Sequence, residues 1–225
     1  MSSKKAIINQ TAPQPELESW VQGYEPDLDA MVGQVILIEV IQVNCPGCFV
    51  HALPETIRLH ETYASEGLKV FVIATAFEHF EHNTLNNLER LLQDGELQGD
   101  PLAQLSKADF LIDGKLPYKI PFSVAMDKLE VTNGQVDERD IKQFILSQIP
   151  DFFENEWSDE RRQGIFQQAK THLNNKKFSA STFETYQLQG TPSSILIDKK
   201  GILKQVSLGA VNQLEEQITT LLNEK

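Results

Sequence analysis

At 225 residues the chain is long enough for one well-buried core with an embellishment, or at most two small domains. Hydrophobic residues make up 40% and charged residues 23%, a globular composition that argues against intrinsic disorder. A net charge of -12 at pH 7, with no Lys/Arg run longer than two, repels phosphate backbones and anionic lipid, so nucleic acid and membrane surfaces are set aside as partners.

In chain order, residues 1–18 are polar, carry Pro13 and Pro15, and are expected to form a flexible leader, with 19–225 as a single domain. Lys4 and Lys5 precede only Ala6-Ile7-Ile8, short of the roughly 7–15 apolar residues of a secretory signal. No stretch reaches the ~18 apolar residues of a spanning helix, and a cytoplasmic home is the expectation. Trp20 to Gly33 reads as a turn-rich lead-in. Val35-Ile36-Leu37-Ile38-Glu39-Val40-Ile41 is a near-continuous apolar run, the pattern of a strand buried on both faces.

Asn44-Cys45-Pro46-Gly47-Cys48 interrupts that run, and from Phe49 to about Ala64 the spacing turns helical, with Pro54 inside it as a kink. Leu68 to Ala74 is a second buried strand, which makes strand, helix, strand a βαβ unit. A helix is expected over about 83–93, connection over 94–118, and a third strand over 120–126 with Pro121 near its start.

Residues 129–178 read as a helical insertion. Asp137 caps one helix, stopped by Pro150, and Ser158 caps a second. Phe178 to Gln187 is expected as a short helix. Ser193 to Val206 reads as a β-hairpin turning at Gly201, and Val211, Leu214, Ile218, Leu221 and Leu222 mark a terminal helix.

The two cysteines of the chain, Cys45 and Cys48, stand three residues apart. A crosslink that local constrains the unfolded chain little, so it asks for a chemical reason. A strand running into a loop and then a helix puts Cys45 near a helix N-terminus, where unpaired backbone donors favour the reactive thiolate. Pro46 suits the first helical position, Gly47 leaves space above the sulfurs, and Cys48 is placed to attack a mixed disulfide at Cys45. Zinc would want four ligands, and no second Cys pair or Cys-His pair follows. Two inert buried cysteines are the bland alternative. A C-x-x-C at a βαβ junction in a cytosolic chain is the expected redox signature.

Val35 to Glu39 leading into Cys45-Pro46-Gly47-Cys48, the helix with Pro54, and Gly190-Thr191-Pro192 followed by Ile195-Leu196-Ile197-Asp198 resemble the thioredoxin-like fold. The nearest branch is the redoxin or TlpA-like proteins, which overlap in architecture with the AhpC/TSA-type peroxiredoxins. The resemblance covers about 34–127 and 179–222. It implies an α/β fold, a central mixed sheet flanked by helices, with 129–178 as a helical insertion.

The resemblance further implies a thiol-disulfide oxidoreductase in which Pro192 is cis and faces the dithiol while the Thr191 backbone pairs with a substrate chain. No cofactor or metal is expected. Its substrates are protein or low-molecular-weight disulfides and thiols, and its reductant is a thioredoxin or glutathione system. Glu39 matches the buried Asp of thioredoxins that relays protons to the second cysteine; the alternative is a strand-face carboxylate paired with a surface lysine. The chain departs from thioredoxins in carrying Asn44 where Trp is usual, and in placing Pro54 six rather than five residues after Cys48.

Glu78, His79, Glu81 and His82 follow the second strand, whose end lies on the dithiol side of the sheet, so Glu78 and His79 are secondary candidates for substrate contact or proton traffic. His51 is read as a solvated helix residue, and Trp20 and Trp157 as packing groups. Two other readings stand beside the oxidoreductase. A peroxiredoxin-like peroxidase uses Pro-x-x-x-Thr/Ser-x-x-Cys, which ending on Cys48 would put Ile41 at the proline and Cys45 at the Thr/Ser. A non-catalytic binding or copper-handling protein would want Cys-x-x-x-Cys and a distal histidine.

Overall fold

The computed structural model describes residues 5–25, 27–132, 136–175, 177–209 and 213–224. Residues 1–4 of the expected leader, and Val211 of the expected terminal helix, lie outside them. The chain divides into two units, one formed by Met1–Leu129 with Ala180–Lys225 and the other by Glu130–Ser179.

In the first unit, residues 5–16 are not the flexible leader expected from their polarity. Ala6 N donates to Thr185 O at 2.8 Å, Asn9 N to Leu203 O at 2.8 Å and Ala12 N to Gly201 O at 2.9 Å, and Ala6 and Ala12 are buried. β1 (Leu17–Gln22) falls where a leader and a turn-rich segment were expected. Register shifts between Leu17 and Ser19 and between Trp20 and Gln22 break the two-residue alternation that announces a strand.

β2 (Val35–Ile41) is buried along its whole length. Val35, Leu37 and Ile41 pack into one cluster and Ile36, Ile38 and Val40 into another, so the continuous apolar run reflects a strand with cores on both faces. A π-helical turn (Cys48–Ala52) leads into α1 (Leu53–Tyr63), and β3 (Leu68–Ala74) returns parallel to β2.

α2 (Leu85–Asp94) starts at a Thr84 cap, whose side chain accepts from Asn87 N, and ends at Gly95 in the left-handed region at φ 70. α3 (Gly99–Lys107) lies inside the segment expected to be plain connection. Its Gly99-Asp100-Pro101 start reads as a turn. Yet a proline in a first turn gives up a donor that has no helical partner there, so the helix forms. β4 (Ser123–Asp127) starts two residues after Pro121, and Gln22 Nε2 donates to the Ile120 and Phe122 carbonyls, both at 2.8 Å.

β5 (Leu129–Val131) runs from the last residue of the first unit's opening segment into the second unit. α4 (Glu138–Gln148) carries a reciprocal cap between Asp137 and Asp140, and α5 (Asp159–Asn175) has Ser158 accepting from Arg161 N. Ile141, Ile145, Phe152 and Ala169 form its core, against which Trp157 packs. β6 (Phe178–Ala180) pairs with β5 in a two-stranded sheet, so the helix expected from Phe178 begins only at α6 (Ser181–Thr185).

The first unit is completed by β7 (Ser193–Ile197), β8 (Leu203–Leu208) and α7 (Leu214–Asn223). The main sheet runs β1-β4-β3-β2-β7-β8, with β2, β3 and β4 parallel and β1, β7 and β8 antiparallel to their neighbours. This is the α/β mixed sheet with flanking helices expected from the sequence. None of the helices among the described residues is long and apolar enough to cross a membrane.

Candidate active site

The dithiol sits where β2 gives way to the helix that packs back on the sheet. Cys45 and Cys48 are joined in a disulfide, their Cα atoms 5.4 Å apart. Cys45 is half-buried at the surface and Cys48 fully buried behind it. Cys48 N donates to the Cys45 carbonyl at 3.1 Å and points at Cys45 Sγ at 3.2 Å. That N–H, in the first turn of the helix, is a backbone donor aimed at the outer sulfur. Gly47 has ordinary helical angles, φ -63 and ψ -30, and a methyl in place of its hydrogen would meet open space.

The helix after Cys48 absorbs one residue more than a thioredoxin-like helix usually carries before its proline. It does so with a π turn, in which Leu53 N donates back five residues to Cys48 O. Continuing that pattern would require a donor at residue 54, and Pro54 has none. The Phe49 carbonyl is satisfied instead by Tyr118, whose hydroxyl donates to it at 2.6 Å.

The segment Gly190-Thr191-Pro192 closes over the outer sulfur. The Thr191–Pro192 bond is cis, and the Thr191 carbonyl oxygen lies 3.6 Å from Cys45 Sγ. Ser193 Oγ donates to Gly190 O at 2.8 Å, and Gly209 N to Pro192 O at 2.8 Å, pinning the turn between β7 and the end of β8.

Glu39 is 2% exposed and lies directly opposite Ser194 across the β2/β7 pair. Ser194 Oγ donates to Glu39 Oε2 at 2.7 Å, so its partner is a buried hydroxyl rather than a surface lysine. Strand alternation puts Glu39 on the face of Leu37 and Ile41, whose cluster contains Cys48. Burial pushes the Glu39 carboxyl up to about 8, against the opposing pull of the Ser194 hydrogen bond.

Glu78 and His79 meet the dithiol loop through backbone rather than side chains. Asn83 Nδ2 donates to the carbonyls of Glu78 at 3.0 Å and His79 at 3.2 Å, while its Oδ1 accepts from the N–H of Asn44, the residue before Cys45. The His79 side chain turns to Glu81, which also faces His82, with Nδ1 3.6 Å and Nε2 3.8 Å from one carboxylate oxygen. His51 is exposed. No group of three or more His, Cys, Asp or Glu among the described residues is placed to hold a metal ion.

Asn83, Tyr118 and Ser194 were not singled out from the sequence. An amide, a loop tyrosine and a strand serine carry no local pattern, and each acts on a residue far along the chain.

No protein-family model and no curated protein sequence matches the chain. Solved structures do. A thioredoxin-like superfamily protein matches with a TM-score of 0.58 and 24% identity, over 96% of this chain and 98% of that one. A thiol-disulfide isomerase from Corynebacterium glutamicum matches with a TM-score of 0.57 and 22% identity, over 95% of this chain and 96% of its own. Sheet order, the helix after the Cys-x-x-C and these likenesses agree: the chain has the thioredoxin-like fold, with a Cys45–Cys48 pair at disulfide distance.

Proposed function

We propose that the protein is a thiol-disulfide oxidoreductase acting on protein or small disulfides. In the reduced form, the Cys45 thiolate attacks a substrate disulfide, forming a mixed disulfide and releasing one substrate thiolate. Cys48 then attacks Cys45 Sγ, giving the Cys45–Cys48 disulfide and releasing the second substrate thiolate. Glu39 accepts the Cys48 proton as that thiol is activated, a role suited to a buried carboxyl poised near 8. Thr191 and Pro192 offer backbone to an extended substrate chain, and Pro46 and Gly47 line its approach. Two electrons pass from protein to substrate, and an external thiol donor restores them, either one dithiol of a thioredoxin or two molecules of glutathione. In a cytoplasmic setting that supply favours the reducing direction.

The observation that carries this reading is the asymmetry of the pair. Cys45 is half-exposed beside the Thr191 carbonyl, and Cys48 is sealed behind it. Equilibration against glutathione buffers, with Cys45→Ser as control, tests it. The expected result is a two-electron transition in wild type and none in the variant, together with turnover of an insulin disulfide. Unreactive sulfurs would overturn the proposal, and fast second-order oxidation by peroxide would reassign the site to an AhpC/TSA-type peroxidase.

A further inference from the structure

Between the dithiol and the start of α2 lies a buried amide cluster that the exchange chemistry above does not use. Asn83 is 2% exposed. Its Oδ1 accepts from Asn44 N at 3.2 Å, and its Nδ2 faces Asn44 Oδ1 at 2.8 Å as well as the Glu78 and His79 carbonyls. Gln42 Nε2 joins the same Asn44 oxygen at 2.9 Å, and the Glu78 carbonyl at 3.5 Å.

The turn that Asn83 grips is tightly wound. His79 sits in the left-handed region at φ 47, uncommon for a residue other than glycine, and its carbonyl accepts from His82 N at 2.9 Å and Asn83 N at 3.1 Å. Asn87 Nδ2 donates to His82 O at 2.8 Å, tying the far end of the turn to α2.

The chemistry of the cluster demands an amide. One atom of the side chain must accept from a backbone N–H while the other donates to oxygens. A carboxylate would face three oxygens with no hydrogen to offer, and an aliphatic chain would leave buried backbone groups unpaired.

We propose that Asn83 is a positioning residue, which locks the Glu78–His82 turn to the backbone of the Cys45 loop so that this turn forms a fixed wall of the substrate site. The inference rests on the disulfide-exchange reading for the word substrate, but the lock itself is independent of it. The wall bears exposed Glu78, His79 and Glu81 side chains and contacts a polypeptide flanking the reacting disulfide. A small disulfide reaches Cys45 without it. Asn83 therefore acts on the binding of large substrates, and the Cys48 N–H beside Cys45 Sγ stays in place without it.

The test combines hydrogen exchange with kinetics on Asn83→Ala and Asn83→Asp, the latter keeping size and the acceptor for Asn44 N. In both variants the Asn44, His82 and Asn83 amides are expected to exchange about tenfold faster than in wild type, as loss of a shared hydrogen-bonded unit would give. KM for a peptide disulfide rises severalfold, with kcat and the pH profile of Cys45 alkylation unchanged. Acceleration of the His82 and Asn83 amides alone, or of none, overturns the lock. An unchanged KM with coupled acceleration overturns the wall. If wild type itself fails to exchange disulfides, the functional reading falls, and the amide measurement still decides the lock.

Discussion

The Tyr118 hydroxyl donates to the Phe49 carbonyl at 2.6 Å, so a residue of the loop before β4 completes the helix that carries the buried sulfur. Phe49 follows Cys48 directly, and its carbonyl lies where the π turn meets Pro54. Tyr118→Phe keeps the ring and removes the donor. A lost hydrogen bond to a buried carbonyl predicts destabilisation of about 1–2 kcal/mol, measured by urea unfolding of the oxidised protein. Burial also pushes the Tyr118 phenol up, so it stays a donor across the physiological range and the effect is independent of pH. Equal stability of variant and wild type would show that the helix needs no such partner.

Glu39 gives the oxidised protein a pH dependence of definite sign. Its carboxyl is held near 8 by burial, against an ordinary value of 4.5, so between these limits the folded state binds a proton that the unfolded state has released. The stabilisation is complete below the unfolded value and is lost as pH rises toward 8, at up to about 1.4 kcal/mol per pH unit. Urea midpoints of the oxidised protein should therefore fall between pH 5 and pH 8. Glu39→Gln should flatten that slope, and if Glu39 is the relay it should also slow exchange near neutral pH. Parallel slopes in the two proteins would dismiss the elevated carboxyl.

Ser194→Ala isolates the hydrogen bond from the burial. The hydroxyl favours the charged form of Glu39, so removing it drives the carboxyl further up. The expected outcome is a decline in stability that still begins at the unfolded value but levels off at a higher pH than in wild type, so that more stability is lost in total. In exchange assays the limb assigned to Glu39 moves the same way. A shift to lower pH would mean that the serine does not donate to Glu39.

Gly47→Ala separates backbone need from access. The backbone there is ordinary helix and the added methyl meets nothing within 4 Å, so strain is absent. Stability should hold or rise by about 0.4–1 kcal/mol, because alanine restricts the unfolded chain. Turnover of a protein disulfide should fall, while reaction with a small disulfide should not. A drop in thermal stability would contradict the open space at this position.

Asp127 ends β4 by accepting from Thr75 Oγ1 at 2.7 Å, Thr182 N at 2.8 Å and Phe183 N at 3.4 Å. Asp127→Ala leaves those buried donors without an acceptor and is expected to cost roughly 2–3 kcal/mol in urea unfolding. A loss below about 0.5 kcal/mol would show that the start of α6 does not depend on it.

The order of these elements reflects two kinds of information. The buried strand Val35–Ile41, the paired sulfurs behind it, the parallel strand Leu68–Ala74 and the hairpin at Gly201 were legible in the sequence because each is a local pattern, fixed by residues a few positions apart. So were the Asp137 and Ser158 caps. β1 and α3 were not: bulges erased the alternation of the first, and a glycine-proline start disguised the second. Pro54, one place later than expected, hinted at an altered helix, but the π turn that absorbs the extra residue became visible only in three dimensions.

The sequence alone determined that two sulfurs meet at a strand-to-helix junction, since spacing and hydrophobic period suffice for that. Tertiary structure alone decided what surrounds them. Asn83 grips Asn44 across 39 residues, Tyr118 reaches Phe49 across 69 and Ser194 meets Glu39 across 155. A hydrogen bond depends on where folding brings donor and acceptor. No periodicity within a single segment encodes a partner on another strand or loop.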